Sequence, residues 1–175
     1  MTKNGVAMTQ EDRKSKGLVV RQPIIENLGM ASIDETGKGI RFDHKLCINN
    51  AKKQIENLQI KIGGLYLPCS SLSGGNQQKI VIGKWLTTNP KIMLFDEPSR
   101  GIDVSAKQQI FEIMWDGARK GISSIMISTE LEELLEVCNR ILIVKSGKII
   151  GELKEPEKVT VDQLYSYCMG EEIKQ

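Results

Sequence analysis

Two short segments hold residue types that can handle a phosphoryl group. Leu72-Ser73-Gly74-Gly75-Asn76-Gln77-Gln78-Lys79 places a hydroxyl and side-chain-free residues at an expected helix start. Backbone N–H groups and the positive end of the helix dipole favour an anion there, and glycine lets the backbone come close to it. Ser-Gly-Gly by itself favours a plainer reading, with Ser73 as an N-cap and the glycines as loop residues. The second segment, Ile92-Met93-Leu94-Phe95-Asp96-Glu97-Pro98, is an apolar strand running into two carboxylates. Open α/β sheets bind ligands at the carboxyl ends of their strands. Asp96 could hold Mg²⁺ there through water, and Glu97 could orient or deprotonate the water that attacks a γ-phosphate. Pro98 prevents the strand from continuing. Asp103 stands where it can cap the next helix. Found together and in this order, the two segments favour phosphate chemistry over solvated acids and a simple cap.

The elements needed to position these residues are legible from periodicity and breakers. Val6–Thr9 reads as a short strand leading into the charged cluster Glu11-Asp12-Arg13-Lys14, which on charge alone is a solvated loop. A short helix is expected over Ile24–Met30 and a polar loop over Asp34–Gly39. That loop contains Gly-Lys, but Ser32 stands where a phosphate loop needs its earlier glycine. His44–Ile60 reads as a helix whose buried stripe is Ile48, Ala51, Ile55 and Leu58, and Ser73–Leu86 as a second helix stopped by Asn89-Pro90. Strand and helix then alternate: strand Lys91–Phe95, helix Val104–Arg119, strand Ser123–Ser128, helix Glu130–Val137. A hairpin follows, with arms Ile141–Val144 and Ile149–Leu153, and a last helix over Val161–Met169. Thr129 thus ends a strand on the expected ligand side. The class is α/β with a largely parallel sheet and a mainly helical first half.

Composition narrows the function classes. A chain of 175 residues, 40% hydrophobic and 26% charged, can bury one real core. A net charge of +2 with no long basic run does not point to nucleic acid. No apolar stretch approaches the roughly 18–20 residues that cross a bilayer, so membrane association would go through a partner. The N-terminus lacks the apolar core of a signal peptide. Cys47, Cys69, Cys138 and Cys168 form no CxxC pair and have only His44 to assist them, which suits reduced core thiols in the cytosol rather than a metal site.

Taken in sequence, the two segments resemble the signature and Walker B segments of an ABC-type ATPase. Most of the chain, from Gly5-Val6-Ala7-Met8 to about Gly170, is similar to the second nucleotide-binding half of the ATPase subunit of a bacterial carbohydrate importer. Asn76-Gln77-Gln78-Lys79 and Ser99-Arg100-Gly101-Ile102-Asp103 carry the likeness to the sugar group. The resemblance implies a partial P-loop NTPase core with a mainly parallel sheet plus a helical subdomain. Residues 1–20 would be a core strand and Q-loop-like segment, with Glu11 replacing the usual glutamine. Residues 21–88 would be the helical subdomain ending in the signature helix, and residues 89–175 the remaining core with Walker B, D-loop and switch region. It also implies Glu97 as the catalytic residue and Asp96 as the Mg²⁺ residue. Nucleotide contacts would come from Ser73, Gly74, Gly75, Asn76, Asp103, Thr129 and Glu11. ATP and Mg²⁺ are the implied cofactors, and the implied location is the cytoplasmic face of the membrane, held peripherally. A complete ABC half and a transmembrane permease are the implied partners, with a periplasmic or lipid-anchored sugar-binding protein indirectly and no nucleic acid.

Two departures from that family bear on mechanism. Thr129 stands where most ABC proteins have a histidine, so the contact there is a hydroxyl without a titrating cation. No GxxxxGK[ST] occurs in the sequence, so the Walker A strand and phosphate loop are expected upstream of Met1. The isolated chain is then expected to be inactive and to complete a partner's ATP site. A sheet lacking the strand expected beside Asp96 should expose an edge and an apolar face. A non-catalytic interaction module with the same fold, and a soluble ABC protein of DNA repair or translation, remain as other readings.

Overall fold

The computed structural model describes residues 2–33, 37–38 and 41–170. The strands are β1 (Val6–Thr9), β2 (Gly37–Lys38), β3 (Arg41–Phe42), β4 (Ile92–Asp96), β5 (Ser123–Ile127), β6 (Ile141–Lys145) and β7 (Lys148–Leu153). The α-helices are α1 (Ile24–Gly29), α2 (His44–Asn57), α3 (Gly74–Leu86), α4 (Val104–Arg119), α5 (Leu131–Val137) and α6 (Val161–Met169). The chain divides into two compact units, Met1–Ile127 and Ser128–Gln175. The loop expected over Asp34–Gly39 lies outside the described residues except for the backbone of β2.

In the first unit, β4 lies between β1 and β5, and both pairings are parallel. Thr9 stands opposite Phe95, and Asp96 opposite Ile127. Ala7 and Thr9 on β1 and Met93 and Phe95 on β4 are buried, the alternation of strands packed on one face. The open edge expected beside the Asp96 strand is therefore misplaced. Among the described residues, β4 has a partner on each side, so the unpaired edges belong to β1 and β5. The apolar exposure falls on β5, where Ile125 is 56% and Ile127 58% exposed.

The remaining elements of the unit form a helical core around α3. That helix packs on α1, α2, α4 and β1, so Gly75 and the run Gln77–Lys84 are all buried. Buried polar groups generally need internal partners, and Gln77, Lys79 and Lys84 each donate to a backbone carbonyl. Gln77 Nε2 donates to the carbonyls of Cys69 and Leu72, each at 3.2 Å, and Lys79 Nζ donates to the Gln59 carbonyl at 3.2 Å. Lys84 Nζ donates to the Gly17 carbonyl at 2.6 Å and lies 5.2 Å from the Trp85 ring centroid.

On α2 the buried residues are Cys47, Ala51 and Gln54, with Leu58 at its cap, while Ile48 and Ile55 are only half-buried. The buried face is rotated from the expected stripe because α1 and α3 approach through glycines. A β-carbon on Gly29 would stand 3.0 Å from Cys47 Sγ, and one on Gly83 3.6 Å from Gln54 Cβ. All four cysteines are free, Cys47 and Cys69 fully buried. Burial pushes the Cys69 thiol up to about 11, as befits an inert core group.

Burial also pushes the Lys84 ammonium below the ordinary lysine value of 10.5. Between the folded and unfolded values the unfolded chain binds more protons, so this group makes stability rise with pH across that window. Urea unfolding over the alkaline range is expected to show the wild type gaining on Lys84→Met as pH climbs toward 10.5. A difference that stays flat or falls would reject Lys84 as a buried cation.

The second unit is built on the β6–β7 hairpin, packed on α5 and α6 around Ile141, Ile143, Leu153, Leu164 and Tyr167. Ser146 (φ 50°) and Gly147 (φ 75°) make the tight turn, as the Ser-Gly pair predicts. A capping box of Thr160 and Gln163 starts α6, and Gly170 at φ 112° ends it.

Candidate functional site

Ser73 starts α3 in extended backbone (φ −62°, ψ 160°). Its Oγ accepts from the Asn76 amide at 3.4 Å and from Asn76 Nδ2 at 3.1 Å. Asn76 Oδ1 accepts from the Lys61 amide at 3.0 Å, fixing the preceding loop to the same turn. The capping role of Ser73 is thus present. Both contacts use the hydroxyl oxygen as acceptor, which leaves the O–H of this exposed residue as a donor for an anion.

Gly74 and Gly75 have an internal reason to lack side chains. A β-carbon on Gly74 would stand 2.9 Å from Arg13 Nη2 and 3.5 Å from the Gly101 carbonyl oxygen. One on Gly75 would collide with the Ala106 β-carbon of α4, closer than the 3.0 Å that real β-carbons keep. The space these glycines leave is filled from within the chain, and any role toward phosphate rests on their N–H groups.

The acidic segment sits at the carboxyl edge of the sheet. Asp96 closes β4 and is half-buried. Glu97 adopts φ +46°, its amide donating to the Ile127 carbonyl at 2.9 Å and its carbonyl accepting from the Arg100 amide at 3.2 Å. A non-glycine residue in this region stores about 1 kcal/mol or more of strain, a cost that clusters at functional turns. Gly101 at φ +67° continues the turn. Asp103 then caps α4, its Oδ1 accepting from Ser105 Oγ at 2.7 Å and the Ala106 amide at 2.9 Å. The Ser105 hydroxyl, then the Ala106 amide, hold its carboxyl below the ordinary 3.8.

The cluster Glu11-Asp12-Arg13-Lys14 leaves the same edge, because Thr9 pairs with Phe95 in parallel register. Glu11 and Arg100 form an ion pair. Asp12 caps the following turn, accepting from the Lys14 and Ser15 amides and from Ser15 Oγ, and these contacts, the Ser15 hydroxyl first, lower its pKa. Arg13 reaches across to the carbonyls of Arg100 at 2.8 Å and Gly101 at 3.1 Å. The solvated-loop reading therefore holds for the exposed Lys14, while Glu11 is ion-paired, Asp12 is a cap and Arg13 is bonded to the facing turn.

Thr129 belongs to the second unit, exposed in the stretch between β5 and α5. Its neighbour Ser128 donates to Glu133 Oε2 at 3.1 Å and accepts from the Glu130 amide at 3.0 Å, so buried Glu133 fixes this stretch. In the first unit, beside the Glu97 turn, Arg13 bonds Arg100 and Gly101 and lies against the Gly74 position, and Glu11 pairs with Arg100. The sequence names Arg13 and Arg100 only as members of their segments and does not mark Lys84, because their partners lie 67 to 88 positions away. Glu133 lies five residues from its partner Ser128, but no motif marks the pair.

Among the described residues, no group of three or more His, Cys, Asp or Glu could hold a metal ion. Mg²⁺ retains waters and takes one or two carboxylates plus substrate phosphates. A lone Asp96 at the strand end fits that mode. No described helix is long and apolar enough to cross a membrane.

Residues 2–100 match the family model for the ABC transporter. The ribose import ATP-binding protein RbsA of Oceanobacillus iheyensis is 39% identical over 168 residues, covering 96% of this chain and 34% of that protein. The xylose import ATP-binding protein XylG of Geobacillus kaustophilus is 40% identical over 166 residues, covering 95% and 33%. The chain spans about a third of the length of the curated relatives it matches. A nucleotide-free ATP-binding cassette from an ABC transporter is similar in fold, with TM-score 0.75 at 24% identity over 95% of this chain and 69% of that one. Another cassette in its ADP conformation has TM-score 0.74 at 24% identity over 97% and 70%. With the family model matched across residues 2–100 and the cassette fold shared, this chain belongs to the ABC transporter ATPase family.

Proposed function

We propose that this chain is an ATP-binding and ATP-hydrolysing component of a bacterial importer that powers uptake of a sugar such as ribose, galactose or xylose. The observation that carries the reading is the Asp96-Glu97 pair at the carboxyl edge of an inner parallel strand, beside a turn that packs against Gly74 at the start of the Ser73-capped helix. The import proteins similar to it supply the sugar class.

In this reading the Ser73 hydroxyl and the Gly74, Gly75 and Asn76 N–H groups face the γ-phosphate of ATP held by a complementary half. Asp103 extends toward the same opposing half. Asp96, Glu97 and Glu11 serve the nucleotide on this chain's own side, once a phosphate loop is supplied by another polypeptide segment, and Thr129 keeps the nucleotide contact that the family resemblance implies. Asp96 would hold Mg²⁺ through water, and the ion's charge would offset that of the phosphate oxygens. Glu97 would accept the proton of the attacking water, and the Thr129 hydroxyl would donate a hydrogen bond to the γ-phosphate. Residues 21–88 form the helical subdomain, within which 21–64 face the permease on the cytoplasmic side. The sugar-binding protein acts indirectly through that permease. Closure of two halves on ATP turns the permease outward, and hydrolysis resets it.

The test is ATP hydrolysis and association of the chain alone and mixed with a complete ABC half. Negligible turnover alone and ATP-dependent association in the mixture are expected. Turnover by the chain alone at a rate typical of ABC ATPases would reject the shared site. Absence of ATP-dependent association with any complementary half would favour the interaction-module reading.

A further inference from the structure

We infer that Arg13 is a positioning residue that locks the Ser73–Gly74 helix start and the turn after Glu97 into one rigid unit; its effect on hydrolysis rests on the function proposed above. The guanidinium carries planar, forked donors, and here the fork spans two consecutive carbonyls, Nη1 to Arg100 O at 2.8 Å and Nη2 to Gly101 O at 3.1 Å. Those carbonyls belong to the turn whose other end closes on Glu97 through the Arg100 amide and which runs on to Asp103, the cap of α4. The same Nη2 occupies the space left by the missing side chain of Gly74, 2.9 Å from where a β-carbon would stand. One side chain therefore bonds the turn after Glu97 and fills the space beside Gly74.

Arg13 is itself held firmly. Its backbone opens a tight turn, Arg13–Gly17, capped by Asp12. The turn's last residue accepts from buried Lys84 of α3, and a β-carbon there would stand 3.0 Å from Val81. Arg13 Nε is covered by the surrounding chain, so the guanidinium is not a freely solvated surface group. Glu11, from the same segment, grips Arg100 as a second tie to the same turn. The unit matters because hydrogen-bond donors aimed at a transferring phosphoryl group must be placed to within about 0.5 Å, and a 1 Å displacement costs on the order of a hundredfold.

The test compares wild type with Arg13→Lys, Arg13→Ala and Gly74→Ala. Lysine keeps the charge but loses the fork, and an alanine at position 74 displaces the fork from the opposite side. In the chain alone, without nucleotide, all three variants are expected to raise amide exchange in residues 73–77 and 99–106 together, by about tenfold, with exchange in the second unit unchanged. In the mixture with a complete half, kcat is expected to fall by about tenfold or more with KM for ATP within about twofold. Millimolar ethylguanidinium should restore part of the Arg13→Ala loss, and ethylammonium should not. Exchange that is unchanged, or that rises in only one of the two segments, would overturn the rigid unit. Loosened segments with wild-type kcat would overturn the positioning role. If the wild-type mixture itself shows no turnover, the importer reading fails, and exchange alone decides whether Arg13 joins the two segments.

Discussion

Ser73→Asp is expected to leave the fold as stable as wild type while reducing ATP-dependent association with a complete half, and the mixture's ATP turnover, by at least about a hundredfold. The substitution separates two roles that coincide at this residue. As a cap, Ser73 receives hydrogen bonds from the Asn76 amide and side chain. Aspartate caps as well as serine and favours the positive end of the dipole, so stability should change by no more than about 0.5 kcal/mol. As a phosphate ligand, aspartate loses the donor and sets a negative charge against another. At about 4 Å and an effective dielectric of about 20, each such pair costs on the order of 4 kcal/mol, close to a thousandfold. Urea unfolding measures the first quantity, and size-exclusion chromatography with phosphate release measures the second. If Ser73→Asp still associates on ATP addition like wild type, Ser73 is only a cap and the corner faces no phosphate.

Gly75→Ala is expected to destabilise the first unit by about 1–3 kcal/mol, against the trend of helix propensity. In an unobstructed helix, alanine in place of glycine gains up to about 1 kcal/mol. Here the added carbon would collide with Ala106, whose own methyl is fixed to the α4 backbone and has no rotamer to move into. Relief requires α3 and α4 to separate, and Ala106 is also the residue whose amide Asp103 caps. The shift in urea midpoint at unchanged m-value measures the effect. The double variant Gly75→Ala with Ala106→Gly should recover most of the loss, because the collision is pairwise. A neutral or stabilising Gly75→Ala would show that the two helices are not held together at this point.

The elements of this fold were legible because their causes are local. Helix α4 spans Val104–Arg119 and α6 spans Val161–Met169, as the sequence reading has them, and Ser73, Asp103 and Thr160 cap the helices they precede. Caps act within three residues, periodicity within a few turns, and Ser146-Gly147 within a single hairpin. The candidate site was legible to the extent that it is built of such local pieces: a capped glycine corner, and an apolar strand ending in acids. The α2 stripe was read less well, because which residues face inward depended on where neighbouring glycines let other helices approach.

Sequence alone determined which segments could carry phosphate chemistry, since hydroxyl, glycine and paired carboxylates announce themselves by type and spacing. Tertiary structure alone decided that β4 is flanked on both sides, that a side chain at Gly74 or Gly75 would meet Arg13 or Ala106, and that Arg13 bonds two carbonyls rather than standing as a solvated charge. The partners of Arg13 lie 87 and 88 positions away, and Gly17 lies 67 from Lys84. At such separations the chain must fold before the groups meet, so no spacing in the sequence could record the contact.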